Sequence, residues 1–205
     1  MNDWDDDSPQ LRSNLGKVFA RVRDEALRRE PLTVKAAREW HLEIMQGLVP
    51  PDPAFVGNFR GDPGLESCEV EVGGLPGAQA SNVAAELAEF NRKLRLAIAE
   101  LDRRIEPAQD LTADDLAAIL TLCAWVHAEW VRIHPFANGN GRTARLWVNS
   151  IAMRYGLPLF LRIRPRPVEG YDRACAAAMQ GDWSPTVTLF RRMYINSLAA
   201  TSTAG

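Results

Sequence analysis

The sequence predicts an all-α domain that carries one small β-hairpin. Along most of the 205 residues, apolar side chains recur at intervals of three and four, which is the spacing of helices with one buried face. Strand-like alternation is confined to two short stretches, at 68–74 and 161–167. A chain of this length buries about 70 % of its unfolded surface, so a single core without disulfides or structural metal is expected.

Three helices are predicted in the first half of the chain. An apolar stripe over Leu11–Arg29 predicts the first helix, after an acidic tail at residues 1–10 that is expected to be disordered. Thr33 is a suitable N-cap for the second helix, which is expected to end near Gly47. Ser81 is a suitable N-cap for the third.

The hairpin is predicted between the second and third helices. The alternating residues Val70-Glu71-Val72 precede Gly73-Gly74, and paired glycines supply the positive φ angles of a tight hairpin turn. The proline- and glycine-rich segment 49–64 before them is predicted to be a loop.

Four more helices are predicted in the second half. Thr112 and Asp115 resemble a capping box that opens a helix ending near Trp130. The segment Thr143–Tyr155 is apolar around most of its circumference, which predicts a central helix packed on several sides. Residues 161–167 are expected to be extended with their arginines outward, and the last two helices are predicted at Tyr171–Ala178 and Ser184–Leu198.

The composition limits the classes of partner. The net charge of −2 argues against a dominant nucleic-acid or anionic-membrane partner. No run of about 18 apolar residues is present, and the acidic N-terminus is unlike a signal peptide. The protein is therefore expected to be cytoplasmic, without a nucleic-acid or membrane partner.

The segment His134–Arg145 carries the strongest chemical signal. Gly139-Asn140-Gly141 tolerates positive φ angles, so its amides can form an anion-binding nest ahead of the central helix. Arg142 and Arg145 lie three residues apart, on one helix face, and can both contact a phosphate. The ordinary pKa of a histidine, about 6.5, suits His134 to accept a proton from a hydroxyl.

Each of these features alone is more often structural. A lone Gly-Asn-Gly is usually a turn, and a lone histidine is usually a surface or core residue. His41 is assigned a structural role for that reason, and His127 is interpreted as a buried, hydrogen-bonded residue that helps place the loop. The combination in His134–Arg145 is what indicates a site.

The same segment resembles the signature of the Fic family, His-x-Phe-x-(Asp/Glu)-Gly-Asn-Gly-Arg-x-x-Arg. It matches at every fixed position except Asn138, where the family usually carries a carboxylate. Gly57-Asn58-Phe59-Arg60 also resembles the Gly-x-aromatic-Arg element that precedes the target-binding flap of Fic proteins, and Gly181–Pro185 resembles the usual link between the final helices. The resemblance extends over residues 32–198, with an N-terminal helical extension at 11–31 and a disordered tail at 199–205.

The resemblance implies a Fic-type helical bundle whose central helix follows the signature loop. It further implies transfer of a phosphate-containing moiety, most often AMP from ATP, to a Ser, Thr or Tyr hydroxyl of a target protein. His134 would deprotonate that hydroxyl and Phe136 would anchor the loop. The phosphates would be bound by Asn138, Gly139, Asn140, Gly141, Arg142 and Arg145, with Arg142 also catalytic, and the target by a flap of Val70, Glu71, Val72 and Gly73.

Asn138 leaves three alternatives open. The carboxylate usual at this position binds the Mg²⁺ that bridges the phosphates, and an amide oxygen binds Mg²⁺ without charge, hence weakly. The chain could retain transfer with weaker metal dependence, use a different donor or donor orientation, or bind nucleotide without transfer. The first is favoured, because every other signature residue is present.

Some Fic proteins carry an inhibitory helix with the pattern (Ser/Thr)-x-x-x-Glu-(Gly/Asn). Only Ser67 and Glu71 have that spacing here, and they are followed by Val72, inside the predicted flap. The resemblance therefore implies that any inhibitor is a separate protein, as in the toxin–antitoxin members of the family.

Overall fold

The computed structural model describes residues 8–168 and 170–202. Over these residues it has seven α-helices and a two-stranded antiparallel hairpin, so the predicted all-α class with one small hairpin is confirmed. The elements are α1 Pro9–Leu27, α2 Val34–Ile44, β1 Glu71–Val72, β2 Leu75–Pro76, α3 Ala80–Arg104, α4 Ala113–Ile133, α5 Asn140–Arg154, α6 Tyr171–Met179 and α7 Ser184–Ser202, with a 3-10 turn at Pro53–Phe55.

The helix after the signature loop, α5, is the centre of the molecule. Every side chain from Arg142 to Arg154 is buried, as a helix that is apolar around most of its circumference requires. It packs against α1, α2 and α4, and α4 in turn contacts α3, α6 and α7. The ring of Trp147 meets Trp40 and Trp130 edge-to-face at centroid distances of 4.9 and 5.6 Å. The predicted central helix is confirmed.

The second core helix, α4, leads directly to the signature loop. Its predicted capping box is present, because the Thr112 side chain accepts from the Asp115 amide and the Asp115 carboxylate accepts from the Thr112 amide. By length and composition alone, this helix is apolar enough to cross a membrane, and 61 % of its most apolar stretch is buried inside the protein. Burial at the centre of a helical bundle accounts for that composition.

Several boundaries differ from the predictions. The first helix begins at Pro9, where the Ser8 hydroxyl caps it. The predicted tail of residues 1–10 therefore overlaps the start of this helix, and residues 1–7 lie outside the described residues. The third helix begins at Ala80 and not after Ser81. The last helix continues to Ser202, into the predicted 199–205 tail. The central helix begins at Asn140, three residues before Thr143.

The segment 161–167 is not a strand. Its backbone carbonyls are hydrogen-bonded to side chains of α5 and not to a neighbouring strand: Asn149 donates to Leu161 O at 2.8 Å, and Arg145 Nε donates to Ile163 O at 3.0 Å. The apolar alternation at 161–167 therefore occurs in a segment whose backbone is bound by side chains of the central helix. Arg162 and Arg166 are exposed, as expected.

Candidate active site

His134 terminates α4 and turns the chain into the signature loop. It adopts a left-handed conformation, with φ 52° and ψ 57°, which ends the helix while its amide still donates to Trp130 O. This conformation is uncommon for a residue other than glycine. The buried guanidinium of Arg60 stabilises it by donating from Nε to His134 O at 2.7 Å.

The imidazole of His134 is oriented for proton acceptance. Its Nδ1 lies 3.1 Å from Val131 O, and because a carbonyl can only accept, Nδ1 carries the proton of the neutral ring. Burial, with a smaller contribution from the Arg60 charge, lowers the pKa of His134 to about 4. The ring is therefore neutral at pH 7, and Nε2 carries the lone pair.

The loop that follows is held in shape by its own side chains. Phe136 is fully buried among aromatic rings, at 4.8 Å from Phe59 and 6.0 Å from Trp130 between centroids. Asn140 bridges the loop twice: its Oδ1 accepts from the Phe136 amide and its Nδ2 donates to Phe136 O. The anchoring role predicted for Phe136 fits this environment.

The predicted nest is replaced by a helix N-terminus. Among the three residues of Gly139-Asn140-Gly141, only Gly139 has a positive φ, 81°, and the other two form the first turn of α5. The Asn140 side chain is used to close the loop, so only its backbone amide remains for a ligand. The Gly139 amide donates to Asn138 Oδ1 at 2.6 Å. The first amides of a helix have no carbonyl partner within it and favour anions, so the backbone amides of Asn140 and Gly141 are the candidate groups for binding an anion.

Asn138 does not fit a metal-binding role here. Its side-chain oxygen is turned toward the Gly139 amide and has no charge, whereas Mg²⁺ favours carboxylate oxygens. Over residues 8–168 and 170–202, no group of three or more His, Cys, Asp or Glu side chains is arranged to hold a metal ion. The weak metal site predicted at Asn138 therefore has no support from neighbouring ligands.

The two signature arginines lie together on α5, as predicted from their spacing. Arg142 and Arg145 are 4 % and 5 % exposed. Arg145 donates from Nε to Ile163 O and from Nη1 to the Tyr171 hydroxyl at 3.2 Å, and that hydroxyl also lies 2.7 Å from His127 Nε2. The direction of the Arg145 guanidinium is thus fixed by its neighbours.

The predicted hairpin, to which the flap role was assigned, is present and lies beside His134. Glu71 pairs with Pro76 and Val72 with Leu75, with the turn at Gly73-Gly74. The tip is exposed, so its backbone edge is accessible to another extended segment. A Cβ added at Gly77 would lie 3.0 Å from the Cβ of His134, so the base of the flap contacts the residue predicted to act as base.

Arg60 connects the flap to the signature loop. It is fully buried and donates to carbonyls of both: Nη1 to Cys68 O, Nη2 to Ala78 O and Ile133 O, and Nε to His134 O. Its amide donates to Pro135 O at 2.7 Å. The sequence indicated Arg60 only as part of a short element, since its contacts with Ile133 and His134 span more than 70 residues.

A groove of roughly 300 Å³ runs between the flap and the turn after α6. It is lined by Pro76, Gly77, Ala78, Arg132, Met179, Gln180 and Gly181. Because Gly77 also contacts His134, the groove approaches the loop from the flap side.

The two other histidines have different relations to the loop. His127 is buried and hydrogen-bonded to Tyr171, as predicted, and the Tyr171 hydroxyl links it to Arg145. His41 contacts the loop directly, since its Nε2 lies 3.0 Å from Asn138 O. Nothing in the sequence near His41 indicated that contact, because it spans 97 residues.

Comparison with known proteins places this site within a described family. A model of the Fic/DOC family matches residues 31–152. The protein adenylyltransferase Fic of Drosophila melanogaster is 29 % identical over 156 residues, which cover 76 % of this chain and 27 % of that protein. That of Nematostella vectensis is 39 % identical over 74 residues, 36 % of this chain and 17 % of that protein. The chain thus spans about a quarter or less of the length of these relatives.

Solved structures share the fold. A Fic-domain-containing signalling protein from Bacteroides thetaiotaomicron superposes with a TM-score of 0.66 at 23 % identity, covering 93 % of this chain and 69 % of that one. BepC from Bartonella tribocorum, solved with bound AMPPNP, superposes with a TM-score of 0.60 at 17 % identity, covering 89 % of this chain and 85 % of that one. At these identities, the similarity concerns the fold.

Proposed function

Since the chain belongs to the Fic/DOC family, we propose that it transfers AMP from ATP to a Ser, Thr or Tyr hydroxyl of a target protein. The names of its relatives as protein adenylyltransferases support the reaction class. The AMPPNP bound to BepC and the ADP bound to a Fic domain of Bartonella quintana support a nucleotide as donor.

The observation that carries the proposal is the hydrogen bond between His134 Nδ1 and Val131 O. It fixes the tautomer of a neutral imidazole, so that Nε2 can accept the proton of the target hydroxyl. The hydroxyl oxygen then forms a bond to the α-phosphorus, the bond from that phosphorus to the bridging oxygen breaks, and pyrophosphate leaves.

The remaining groups stabilise charge. The amides of Asn140 and Gly141, at the positive end of α5, bind phosphate oxygens. Arg142 and Arg145 follow within the first two turns of the same helix. Transfer of this type depends mainly on positioning and electrostatic stabilisation. Mg²⁺ would supply further charge neutralisation, but Asn138 offers it no carboxylate, so no step is assigned to a metal.

The flap would position the target. Its exposed edge at Glu71–Val72 and Leu75–Pro76 can pair with an extended segment, and its base at Gly77 adjoins His134. A hydroxyl on that segment would then approach Nε2 of His134.

The proposal is tested by incubating the chain with cell lysate and labelled ATP, GTP, UTP or CTP and analysing the products by mass spectrometry. We expect a mass increase of one AMP on the chain itself or on a lysate protein with ATP. His134→Ala should abolish it by removing the base. An adduct that forms equally well with His134→Ala would contradict the assignment.

A second candidate is nucleotide binding without transfer. It is favoured by the Asn138 side chain, whose oxygen accepts a hydrogen bond from the Gly139 amide. The family usually has a metal-binding carboxylate at position 138. In that case, nucleotide should bind at the N-terminus of α5, measurable by calorimetry, with no adduct from any of the four donors.

We also propose that a separate, antitoxin-like protein restrains the enzyme. The spacing of the inhibitory pattern occurs at Ser67 and Glu71, and Glu71 lies in strand β1 and not on a helix. Co-expression with candidate partners, followed by measurement of the adduct, would identify the inhibitor as the partner that abolishes adduct formation.

A further inference from the structure

His41 lies on α2, outside the signature, yet it contacts both the signature loop and the segment before the flap. It is fully buried, and its ring stacks on Phe136 with centroids 3.9 Å apart and planes inclined by 10°. Its two nitrogens lie 3.0 Å from the Gly57 amide and 3.0 Å from Asn138 O. One side chain therefore connects α2, the segment before the flap and the signature loop.

These partners fix the tautomer of His41. The Gly57 amide can only donate, so Nδ1 is the acceptor and the proton of the neutral ring is on Nε2. Nε2 then donates to Asn138 O. This tautomer is the opposite of that of His134, whose Nδ1 faces a carbonyl. Burial lowers the pKa of His41 to about 4, which keeps the ring neutral at pH 7.

His41 also determines the space available to Gly139. A Cβ built at Gly139 would lie 3.0 Å from both Nε2 and Cδ2 of His41 and 3.2 Å from Met45 Cε. The left-handed Gly139 that starts α5 is thus packed against the imidazole. The backbone on either side of the peptide between Asn138 and Gly139 is held by the same ring.

We infer that His41 is a positioning residue, which sets the orientation of the first amides of α5 by donating a hydrogen bond from Nε2 to Asn138 O. The inference rests on the proposed function in one respect, that these amides bind the phosphates of the nucleotide. In the proposed reaction, the fully buried His41 acts through the loop and not on the reacting atoms.

Two variants of similar polarity separate the two hydrogen bonds of His41. In His41→Gln, the amide nitrogen reaches the place of Nε2 and can still donate to Asn138 O. In His41→Asn, the amide oxygen replaces Nδ1 as acceptor for Gly57, but the side chain is too short to reach Asn138. Both lose the stacked ring, so their difference reports the bond to the loop.

The variants are compared by ATP affinity from calorimetry and by amide exchange of Phe136 and Thr143, which are bonded within the loop. We expect His41→Asn to bind ATP about tenfold more weakly than His41→Gln and to exchange these amides about tenfold faster, as the loss of one buried hydrogen bond predicts. Equal affinity and equal exchange in the two variants would overturn the inference.

The tautomer is measured directly on the unmodified chain from the ¹⁵N chemical shifts of His41. A proton on Nε2 supports the inference, and a proton on Nδ1 overturns it, whether or not the variants fold. If the unmodified chain binds no nucleotide, the proposed function fails, while amide exchange and the ¹⁵N shifts still decide the role of His41.

Discussion

The choice between an amide and a carboxylate at position 138 determines whether the loop carries an acidic ligand. An aspartate at this position would have nearly the same shape, but it would bring a charge that attracts Mg²⁺. The amide instead accepts a hydrogen bond from its neighbour Gly139 and leaves the loop without an acidic ligand. In the proposed function, the loop therefore binds the phosphates with backbone amides and two arginines.

Replacing Asn138 with Asp should restore metal binding. A carboxylate at the edge of the anion site gives Mg²⁺ the charged oxygen that it favours, and we expect Mg²⁺ affinity in the presence of ATP, and turnover, to rise about tenfold or more. The measurement is a Mg²⁺ titration of nucleotide transfer. Asn138→Ala, which removes the acceptor without adding charge, is the control. Unchanged affinity and turnover in Asn138→Asp would show that this account of the position is wrong.

At the scale of single residues, the sequence predicted which residues form the candidate site better than it predicted the contacts that they make. His134, Arg142 and Arg145 were predicted from local spacing, and the structure brings them to adjoining ends of α4 and α5. The inward use of the Asn140 side chain could not be predicted, since either its amide or its side chain could face a ligand. The contact of His41 joins residues 97 positions apart and has no local signal.

At the scale of elements, the flap and the end of α4 behave as one unit. Gly77 bonds to Val70 O through its amide, and Ala78 bonds to Ile133 O. Arg60 fills the space between them and donates to carbonyls on both sides. The position of the hairpin is therefore coupled to the backbone of His134, which Arg60 also contacts.

Gly77→Ala should disturb both stability and transfer. The added methyl group would lie 3.0 Å from Arg60 Nη2, His134 Cβ and Val70 Cγ2, so the flap base must move. Overpacking of this kind costs about 1–3 kcal/mol. Denaturant unfolding would measure that loss, and nucleotide transfer should fall because His134 is displaced.

The matched control for this change is Gly73→Ala at the tip of the hairpin. No atom lies within 4 Å of its added methyl group, and only the positive φ of 59° opposes it, at a cost of about 1 kcal/mol. If Gly77→Ala lost no more stability and no more transfer than Gly73→Ala, the proposed coupling of flap and base would be refuted.

The elements themselves were largely predictable. Apolar periodicity and caps identified each helix, because their signals lie within a few residues of one another, as at Thr112 and Asp115. The segment 161–167 was misjudged because its carbonyls bind side chains of α5, a tertiary contact that alternation cannot reveal. The early start of α5 depends on the conformation of Gly139, which is packed against His41.

At the scale of the whole molecule, buried neutral histidines should make the fold sensitive to acid. Burial lowers the pKa of His41 and of His134 to about 4 and that of His127 to about 3, from 6.5 in the unfolded chain. Between these values, the unfolded state binds more protons, so the stability is complete above pH 6.5 and is lost as the pH falls toward 4.

We expect the free energy of unfolding to decrease by roughly 6 kcal/mol between about pH 7 and pH 5, since a shift of one pKa unit corresponds to about 1.4 kcal/mol for each of the three histidines. Urea unfolding at a series of pH values measures it. The variant His127→Phe should show a shallower dependence, because one of the three groups is removed. A stability independent of pH over this range would contradict the assignment of the three histidines as neutral.

The anchoring of the hairpin has a consequence for how such proteins diversify. The hydrogen bonds that tie it to the rest of the molecule through Arg60 are made before β1 or after β2, at Cys68, Glu69 and Ala78. The six residues from Glu71 to Pro76 take no part in those contacts and can be substituted together without breaking them. In the proposed function, a target preference that resides in those six residues can therefore change by substitution there alone, without altering Arg60 or His134.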